Sequence, residues 1–314
     1  MKQYYVDRGG EQVYRPPFDA QGVDFFSFVI KADKAAMNKS ICDLCLNGPS
    51  NQPGRYEMAI PYVMVVYNNI ASLVSTDPPF NNRGHFPEHE GAIWTLVRDT
   101  QDEKLFWFHP YIFVDNSYAL SMGREIYGFP KALGEMTIPT CHTTPDLLAT
   151  DTIVVPEFGP NALASKQRLI EVKRQGKGDV ALEILENLEA LGTTLWSILT
   201  EDSLTGDLEL LVHELEALLR REVDMIFLKQ FRDVGNPALA VGQSIVSLDA
   251  RLTKLSGVAL YTDRFDITIG DFVSHPIRKD LGLPDGPIES IANFWVGFDM
   301  WIGPGEQVWP EGGS

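Results

Sequence analysis

Runs rich in β-branched and aromatic residues, separated by turn-forming clusters, recur along most of the chain. These runs cover residues 23–31, 57–76, 91–98, 105–114, 147–155, 225–232, 239–254 and 257–270. Their composition is typical of β-strands. Because no regular helices alternate with them, we expect a sheet that is mainly antiparallel and either closed or strongly curved. The predicted fold class is therefore mainly β (α+β), a closed or cone-like antiparallel β-barrel decorated by helices.

One segment departs from this texture. Between residues 177 and 222 hydrophobic residues recur at helical spacing, which predicts two amphipathic helices. The hydrophobic positions are Val180, Ile184, Leu188, Leu191 and Leu195 in the first helix and Leu208, Leu211, Leu215, Leu218 and Leu219 in the second. We interpret residues 177–222 as a helical insertion that packs on the outside of the barrel, or that serves as a lid or an oligomer contact.

The C-terminal residues 291–314 are unusually aromatic, with Phe294, Trp295, Phe298, Trp301 and Trp309 among glycines and prolines. Such a segment is too apolar to remain in water. Packing on its own domain and packing on a neighbouring subunit are both open at this point. The predicted organisation is a domain over residues 1–290, which includes the helical insertion, followed by a C-terminal extension over 291–314.

Composition narrows the classes of partner. The 314 residues are 44% hydrophobic, enough for a substantial core, and the formal net charge is −17. That charge disfavours nucleic acid or an anionic membrane surface as a partner. No signal-peptide pattern or long apolar run occurs, so we expect a cytoplasmic protein. The cysteine count is odd, and Cys42 and Cys45 lie in an amphipathic pattern from Lys34 to Leu46, which favours structural thiols.

The residues around Lys131 suggest nucleophilic chemistry. Residues 116–126 are predicted to form a helix with Asn116 or Ser117 as N-cap, and Gly128 is predicted to end it. Pro130 prevents continuation, so Lys131 follows a rigid corner. The aromatic run 105–114 and Phe129 lie nearby in sequence, and in such apolar surroundings desolvation lowers the pKa of a lysine.

Other candidate chemistry is weaker. His85, Glu88, His89, Glu90 and His109 could be imagined as a metal site, but their spacing matches no compact signature. No glycine-rich phosphate loop follows a strand and opens a helix. We therefore expect no metal and no cofactor.

The segment Gly123-Arg-Glu-Ile-Tyr-Gly-Phe-Pro-Lys131 resembles the active-site motif of the acetoacetate decarboxylase family. Residues 114–122, 23–33 and 269–283 also resemble segments of that family. The resemblance implies a homo-oligomer and a Schiff base between Lys131 and a keto acid. It also implies an acidic partner that matches Glu88, with Glu90, two residues further along the same strand face, as the second choice.

The resemblance is incomplete at two positions. Ala132 replaces the second lysine of typical members, which leaves desolvation to activate the amine. No arginine near Val23 matches the family's carboxylate-binding arginine, and Arg15 is the nearest candidate. Phe25, Tyr111 and Phe129 are the other predicted substrate-binding residues.

The predicted function is a cofactor-free lyase that acts on a small-molecule oxo acid, with decarboxylation of a β-keto acid first. The same lysine would also serve an aldolase-dehydratase or cyclase that uses a keto-acid enamine. A non-catalytic binding protein is the alternative from another class.

Overall fold

Strands dominate this computed structural model, which describes residues 4–7, 13–143, 145–176, 181–185, 187, 189–194, 210, 211, 213, 214, 217 and 223–310. The strands in these ranges are β1 Phe18–Lys31, β2 Tyr56–Met58, β3 Tyr62–Ser75, β4 Phe86–Asp99, β5 Leu105–Val114, β6 Lys131–Leu133, β7 Glu135–Thr137, β8 Leu147–Val154, β9 Ser165–Arg174, β10 Leu182–Leu185, β11 Val223–Arg232, β12 Ala240–Tyr261, β13 Phe265–Ile269, β14 Ile288–Glu289, β15 Ala292–Ile302 and β16 Glu306–Trp309. The prediction of a mainly β protein is confirmed.

The larger sheet forms a closed ring. Its strand order is β2-β4-β3-β1-β15-β12-β11-β5-β6, and an additional pairing of β4 with β5 closes the ring. Neighbouring strands are antiparallel, except that β5 runs parallel to β6 and to β11. Inward-facing side chains of the ring thus share one interior, which contains the candidate site.

A second sheet has the order β14-β13-β9-β8-β7. Its two longest strands, β8 and β9, alternate in part between buried and exposed positions, which is typical of a sheet with one face on the core. Phe265 of β13 packs on Phe28 of β1 with ring centroids 5.0 Å apart. The smaller sheet therefore covers part of the outside of the ring.

The helices are short. They are α1 Lys34–Met37, α2 Gly48–Ser50, α3 Ser117–Met122 and α4 Ile277–Leu281, with a π-helix over Asn38–Asn47, a second over Gly123–Tyr127 and a 3₁₀ turn over Phe80–Asn82. The predicted N-cap of α3 is confirmed, because the Asn116 side chain accepts a hydrogen bond from the Ala119 amide. Cys42 is buried and Cys45 half-buried in the first π-helix, both as free thiols.

Two segments in the C-terminal third of the chain differ from the sequence prediction. Residues 239–254 and 257–270 were predicted as two strands, but Ala240–Tyr261 is one continuous strand. Irregularities in its pairing with β15, between Leu252 and Lys254 and between Leu255 and Gly257, let it continue through the polar stretch. Residues 292–302 form β15 between β1 and β12, so this part of the aromatic segment lies inside the large sheet.

The predicted helical insertion is described only in part. Leu182–Leu185 forms β10, which pairs with Val258–Tyr261 of β12, so the helical prediction is wrong at Ile184. Pairing with β12 stabilises an extended conformation in this segment, and it outweighs the weak helical pattern of the local sequence. Residues 189–194 are helical. Most of the second predicted helix and the ends of the first lie outside the described residues.

None of the helices among the described residues combines the length and apolarity needed to span a bilayer.

Candidate active site

The interior of the ring contains a cavity with about 1000 Å³ of empty space, including the solvent at its mouth. The cavity is lined by residues of eight strands, seven in the ring and β6 at the edge of the sheet, and by residues of the helical segment 117–127. Among the described residues that line it, the strongly polar side chains are Asn68, Glu88, Glu90, His109 and Lys131. Nearly all the others are aliphatic or aromatic, so the polar groups form one cluster in an otherwise apolar space.

Lys131 is held firmly at the base of this cluster. Gly128, with φ of 81°, ends the π-helix, and β6 then pairs with β5 so that Lys131 lies opposite Ile112. The Arg124 guanidinium donates to the Lys131 carbonyl oxygen at 3.1 Å. A Cβ on Gly123 would lie 2.7 Å from Cδ of Lys131, so a larger residue at this position would displace the lysine stem. The sequence correctly predicts the corner, and the structure adds the close helix contact.

Two carboxylates meet the Lys131 amine. Its Nζ donates to Oε1 of Glu88 at 2.6 Å, and Oε2 of Glu90 lies 3.6 Å away. Glu88 and Glu90 are both buried and point to the same side of β4, as alternation along a strand requires. Asn68, opposite Glu90 on β3, donates to Oε1 of Glu90 at 3.0 Å.

This cluster changes the acid–base behaviour of its members. Burial lowers the pKa of Lys131, but Glu88 and Glu90 outweigh burial and leave that pKa above its ordinary value. The expectation that desolvation alone would lower it is therefore wrong. Burial, opposed by the Lys131 charge and assisted by Glu88, raises the pKa of Glu90 to about 7. The site thus combines a charged amine with a carboxyl group that exchanges its proton near neutral pH.

His109 and Trp94 extend the polar cluster. Their rings stack with centroids 4.0 Å apart, and among the described residues Nε2 of His109 and Nε1 of Trp94 have no hydrogen-bond partner. Burial, together with the positive charge of Lys131, holds the pKa of His109 well below its usual range, so the imidazole is neutral. From the sequence, His109 was considered only as a metal ligand, and Asn68 and Trp94 were missed. A polar residue in the buried run of β3, and alternation from Glu88 to Trp94, were the available signals.

Two of the four predicted substrate-binding residues line the cavity and two do not. Phe25 and Phe129 line the cavity. Tyr111 does not; its hydroxyl donates to Asp280 at 2.6 Å outside the ring. Arg15 does not line it either, because its guanidinium pairs with Asp77 at 3.0 Å and lies over the Phe80 ring.

A local irregularity explains the error at Tyr111. Ile93 of β4 pairs with Tyr111 of β5 and Thr95 pairs with Phe108, so β5 contains one extra residue between these pairs. Such a bulge shifts the alternation of side chains. As a result, His109 and Ile112 line the cavity and Tyr111 faces away.

The five residues that were considered as a metal site do not lie together in one cluster. Nδ1 of His89 lies 2.6 Å from Asp115 near the surface, while Glu88 and Glu90 are turned to Lys131. The described part of the chain contains no group of three histidine, cysteine or acidic side chains that could hold a metal ion.

The fold and the lysine–carboxylate cavity together define a mainly β protein with a potential amine nucleophile, and comparison with known proteins refines this class. Residues 49–189, which include Glu88, Glu90 and Lys131, match the acetoacetate decarboxylase family. The likeness to that family is therefore shown for this segment, which is less than half of the chain. No curated protein matches it significantly.

Solved structures share the fold. Acetoacetate decarboxylase from Legionella pneumophila has a TM-score of 0.62 and 14% identity, with 96% of this chain and 91% of that chain covered. The enduracididine biosynthesis enzyme MppR complexed with pyruvate gives 0.58 and 13%, covering 95% and 93%. An acetoacetate decarboxylase-like enzyme from Sphingomonas wittichii gives 0.59 and 11%, covering 98% and 99%. At these identities the likeness concerns the fold alone.

Proposed function

We propose that the chain is a cofactor-free lyase that acts on an oxo acid through a Schiff base at Lys131. The observation that carries the proposal is the buried contact of 2.6 Å between Nζ of Lys131 and Glu88 inside an apolar cavity. An amine with an adjacent base is the arrangement required of a nucleophilic lysine. The family match covers both residues.

Activation of Lys131 requires a proton transfer, because the ammonium form is not a nucleophile. Glu88 accepts a proton from Nζ along the existing hydrogen bond, and the neutral amine then attacks the carbonyl carbon. The resulting carbinolamine loses water after its hydroxyl group is protonated. Glu90, with a pKa of about 7, is suited to supply that proton at neutral pH.

We place decarboxylation of a β-keto acid first among the reactions of the iminium. The bond between the α-carbon and the carboxylate breaks, carbon dioxide leaves, and the electron pair moves into an enamine while the iminium nitrogen becomes neutral. Protonation of the α-carbon regenerates an iminium, and water hydrolyses it to the ketone and the free amine. After it has donated its proton, Glu90 is negatively charged and disfavours a carboxylate close by, so loss of the substrate carboxylate as neutral carbon dioxide relieves repulsion.

A second reaction, condensation of an enamine with an aldehyde followed by dehydration, would use the same Lys131 amine and its two adjacent carboxylates. MppR is known in complex with the condensation product of pyruvate and imidazole 4-carboxaldehyde, at 12% identity to this chain. In this chain, the enamine would form when the iminium of a keto acid loses a proton, and Glu88 and Glu90 are available bases for that step.

The test is borohydride reduction after incubation with acetoacetate or with pyruvate. The expected result is a stable mass increase on the peptide that contains Lys131. Lys229 is the matched internal control, because burial lowers its pKa although it does not line the cavity. Labelling should disappear in Lys131→Ala and persist in Lys229→Ala.

Absence of any adduct across a panel of oxo acids would refute the Schiff-base proposal and favour a non-catalytic binding protein. Where an adduct forms, the product distinguishes the two reactions. Carbon dioxide release from acetoacetate without an added aldehyde supports decarboxylation, and consumption of pyruvate only when an aldehyde is present supports condensation.

A further inference from the structure

A second cavity lies on the outer side of the ring, behind the corner that positions Lys131. Phe129 and Lys131 line the active-site cavity. Gly128 and Pro130, which alternate with them along the chain, line this second cavity instead, and the rest of its wall comes from the first π-helix, β5, β11 and α4. We call this cavity the rear pocket. Its volume is about 250 Å³. Because an apolar cavity of about 150 Å³ accommodates benzene, the rear pocket has room for one ring with a short side chain.

The wall of the rear pocket is largely apolar. Its hydrophobic side chains are Ile41, Leu44, Phe108, Phe227 and Leu228. Phe108 and Phe227 are buried and stack with ring centroids 5.8 Å apart, so they form a packed part of the wall. Leu44, in contrast, is 70% exposed. A hydrocarbon group that covered Leu44 would remove apolar area from water, which favours binding.

The rear pocket also contains a charged side chain. Among the described residues that line it, Asp280 of α4 is the single charged one. Its Oδ2 accepts a hydrogen bond from the hydroxyl of Tyr111 at 2.6 Å. Burial, together with Asp280, raises the pKa of Tyr111, so the phenol stays neutral and remains a donor. Within the described part of the chain, Oδ1 of Asp280 has no hydrogen-bond donor and the carboxylate has no ion pair.

An unpaired carboxylate oxygen beside an apolar wall selects one kind of ligand. A cation supplies both the missing charge and a donor, and hydrogen bonds between charged groups are among the stronger ones in proteins. An anion would be repelled. An uncharged hydrocarbon would desolvate the carboxylate without replacing its hydration. The formal net charge of −17 also raises the concentration of cations around the chain.

From these features we infer that the rear pocket binds a small organic cation, an alkylammonium that carries one ring or a hydrocarbon group of similar size. Its ammonium group donates to Oδ1 of Asp280, and its hydrocarbon group packs on Leu44 and Leu228. The site is separate from the amine of Lys131, and no oxo acid takes part in binding. The inference is therefore independent of the proposed Schiff base.

Three probes of similar shape test the inference: 2-phenylethylammonium, the neutral 2-phenylethanol and the anion 3-phenylpropanoate. Isothermal titration calorimetry without an oxo acid measures their Kd values. The ammonium ion should bind about tenfold more tightly than the alcohol, as expected of a charge-assisted hydrogen bond. The anion should bind most weakly. Equal affinities of the ammonium ion and the alcohol, or no binding of the ammonium ion, would overturn the inference.

Two substitutions locate the bound cation. Asp280→Asn keeps an oxygen for the Tyr111 hydroxyl but removes the charge, so it should weaken binding of 2-phenylethylammonium about tenfold and leave binding of 2-phenylethanol nearly unchanged. Leu44→Ala removes apolar surface and should weaken binding of both about fivefold. Asp285→Asn is the matched control, because Asp285 is an exposed carboxylate that does not line the rear pocket, and it should leave all Kd values unchanged.

The remaining outcomes are equally decisive. A Kd for the ammonium ion that is unchanged in both Asp280→Asn and Leu44→Ala would mean that the cation binds elsewhere, for example beside Glu88 and Glu90, and would contradict the inference. If Asp280→Asn does not fold, Leu44→Ala decides by the same criterion. Occupation of the rear pocket by a second copy of the chain would also overturn it; that case gives no cation binding and a lower sedimentation mass for Leu44→Ala than for the unaltered protein. None of these results depends on borohydride labelling of Lys131, so the two proposals can fail separately.

Discussion

Replacement of Glu90 by glutamine should stabilise the protein while impairing the site. Glu90 is buried beside Glu88, and burial is the main reason that its pKa is raised from 4.5 to about 7. A carboxyl group with a raised pKa binds its proton more tightly in the folded state than in the unfolded state. Glutamine keeps an oxygen that accepts the hydrogen bond from Asn68, and it does not ionise.

The magnitude follows from the two pKa values of Glu90. Between pH 4.5 and 7 the folded protein holds a proton on this group that the unfolded chain has lost, so stability falls as pH rises through that window. One pKa unit corresponds to about 1.4 kcal/mol. The free energy of unfolding of Glu90→Gln, relative to the unaltered protein, should therefore increase by roughly 2–3 kcal/mol between pH 5 and pH 8.

The assay is chemical denaturation of both proteins at pH 5, 6, 7 and 8. Glu157→Gln is the control, because Glu157 is an exposed carboxylate in a bend after β8 and its replacement should give no such trend. A stability difference between Glu90→Gln and the unaltered protein that is constant over this range would refute the reasoning, since Glu90 would then not titrate there. Activity of Glu90→Gln should fall, as expected of a group that serves the reaction at a cost in stability.

Three further results are expected. Glu88→Gln removes the base 2.6 Å from the Lys131 amine and should lower kcat by about 10²–10⁴-fold, measured in single-turnover labelling. Gly123→Ala places a methyl group 2.7 Å from the Lys131 stem and should greatly reduce borohydride labelling, whereas Gly159→Ala, which meets no atom within 4 Å, should not; equal labelling of both would contradict the close contact. Asn116→Ala removes the N-cap of α3 and should lower the free energy of unfolding by about 1 kcal/mol, measured by denaturation.

The features that depend on local sequence were predictable. The strands could be predicted because β-branched and aromatic residues are concentrated in them. The corner before Lys131 could be predicted because an asparagine N-cap and a left-handed glycine at the end of a helix depend only on the residues at those positions. The pairing of Lys131 with Glu88 was also predicted, although it came from the family resemblance.

The features that were missed depend on tertiary structure. Tyr111 was misassigned because a bulge in β5 shifts the alternation, and a bulge has no reliable signal in one sequence. Arg15 was chosen for its closeness to Val23 along the chain, but its guanidinium finds Asp77 instead. Residues 291–314 were predicted to be a C-terminal extension, but Ala292–Ile302 forms β15. From 292 to 298 this strand is buried on both faces, so the usual alternation is absent.

The close contact between Gly123 and Lys131 has a consequence for the conformational entropy of the reaction. A free lysine side chain has rotamer freedom equivalent to about 1.5–2 kcal/mol. Here the stem passes close to Gly123, Nζ lies 5.6 Å from the centre of the Phe129 ring, and the terminal amine is hydrogen-bonded to Glu88. Folding has therefore already removed most of that freedom, so little remains to be lost when the nitrogen becomes covalently attached to a substrate. Rigidity imposed by a residue without a side chain thus brings the resting amine close to its bonded geometry.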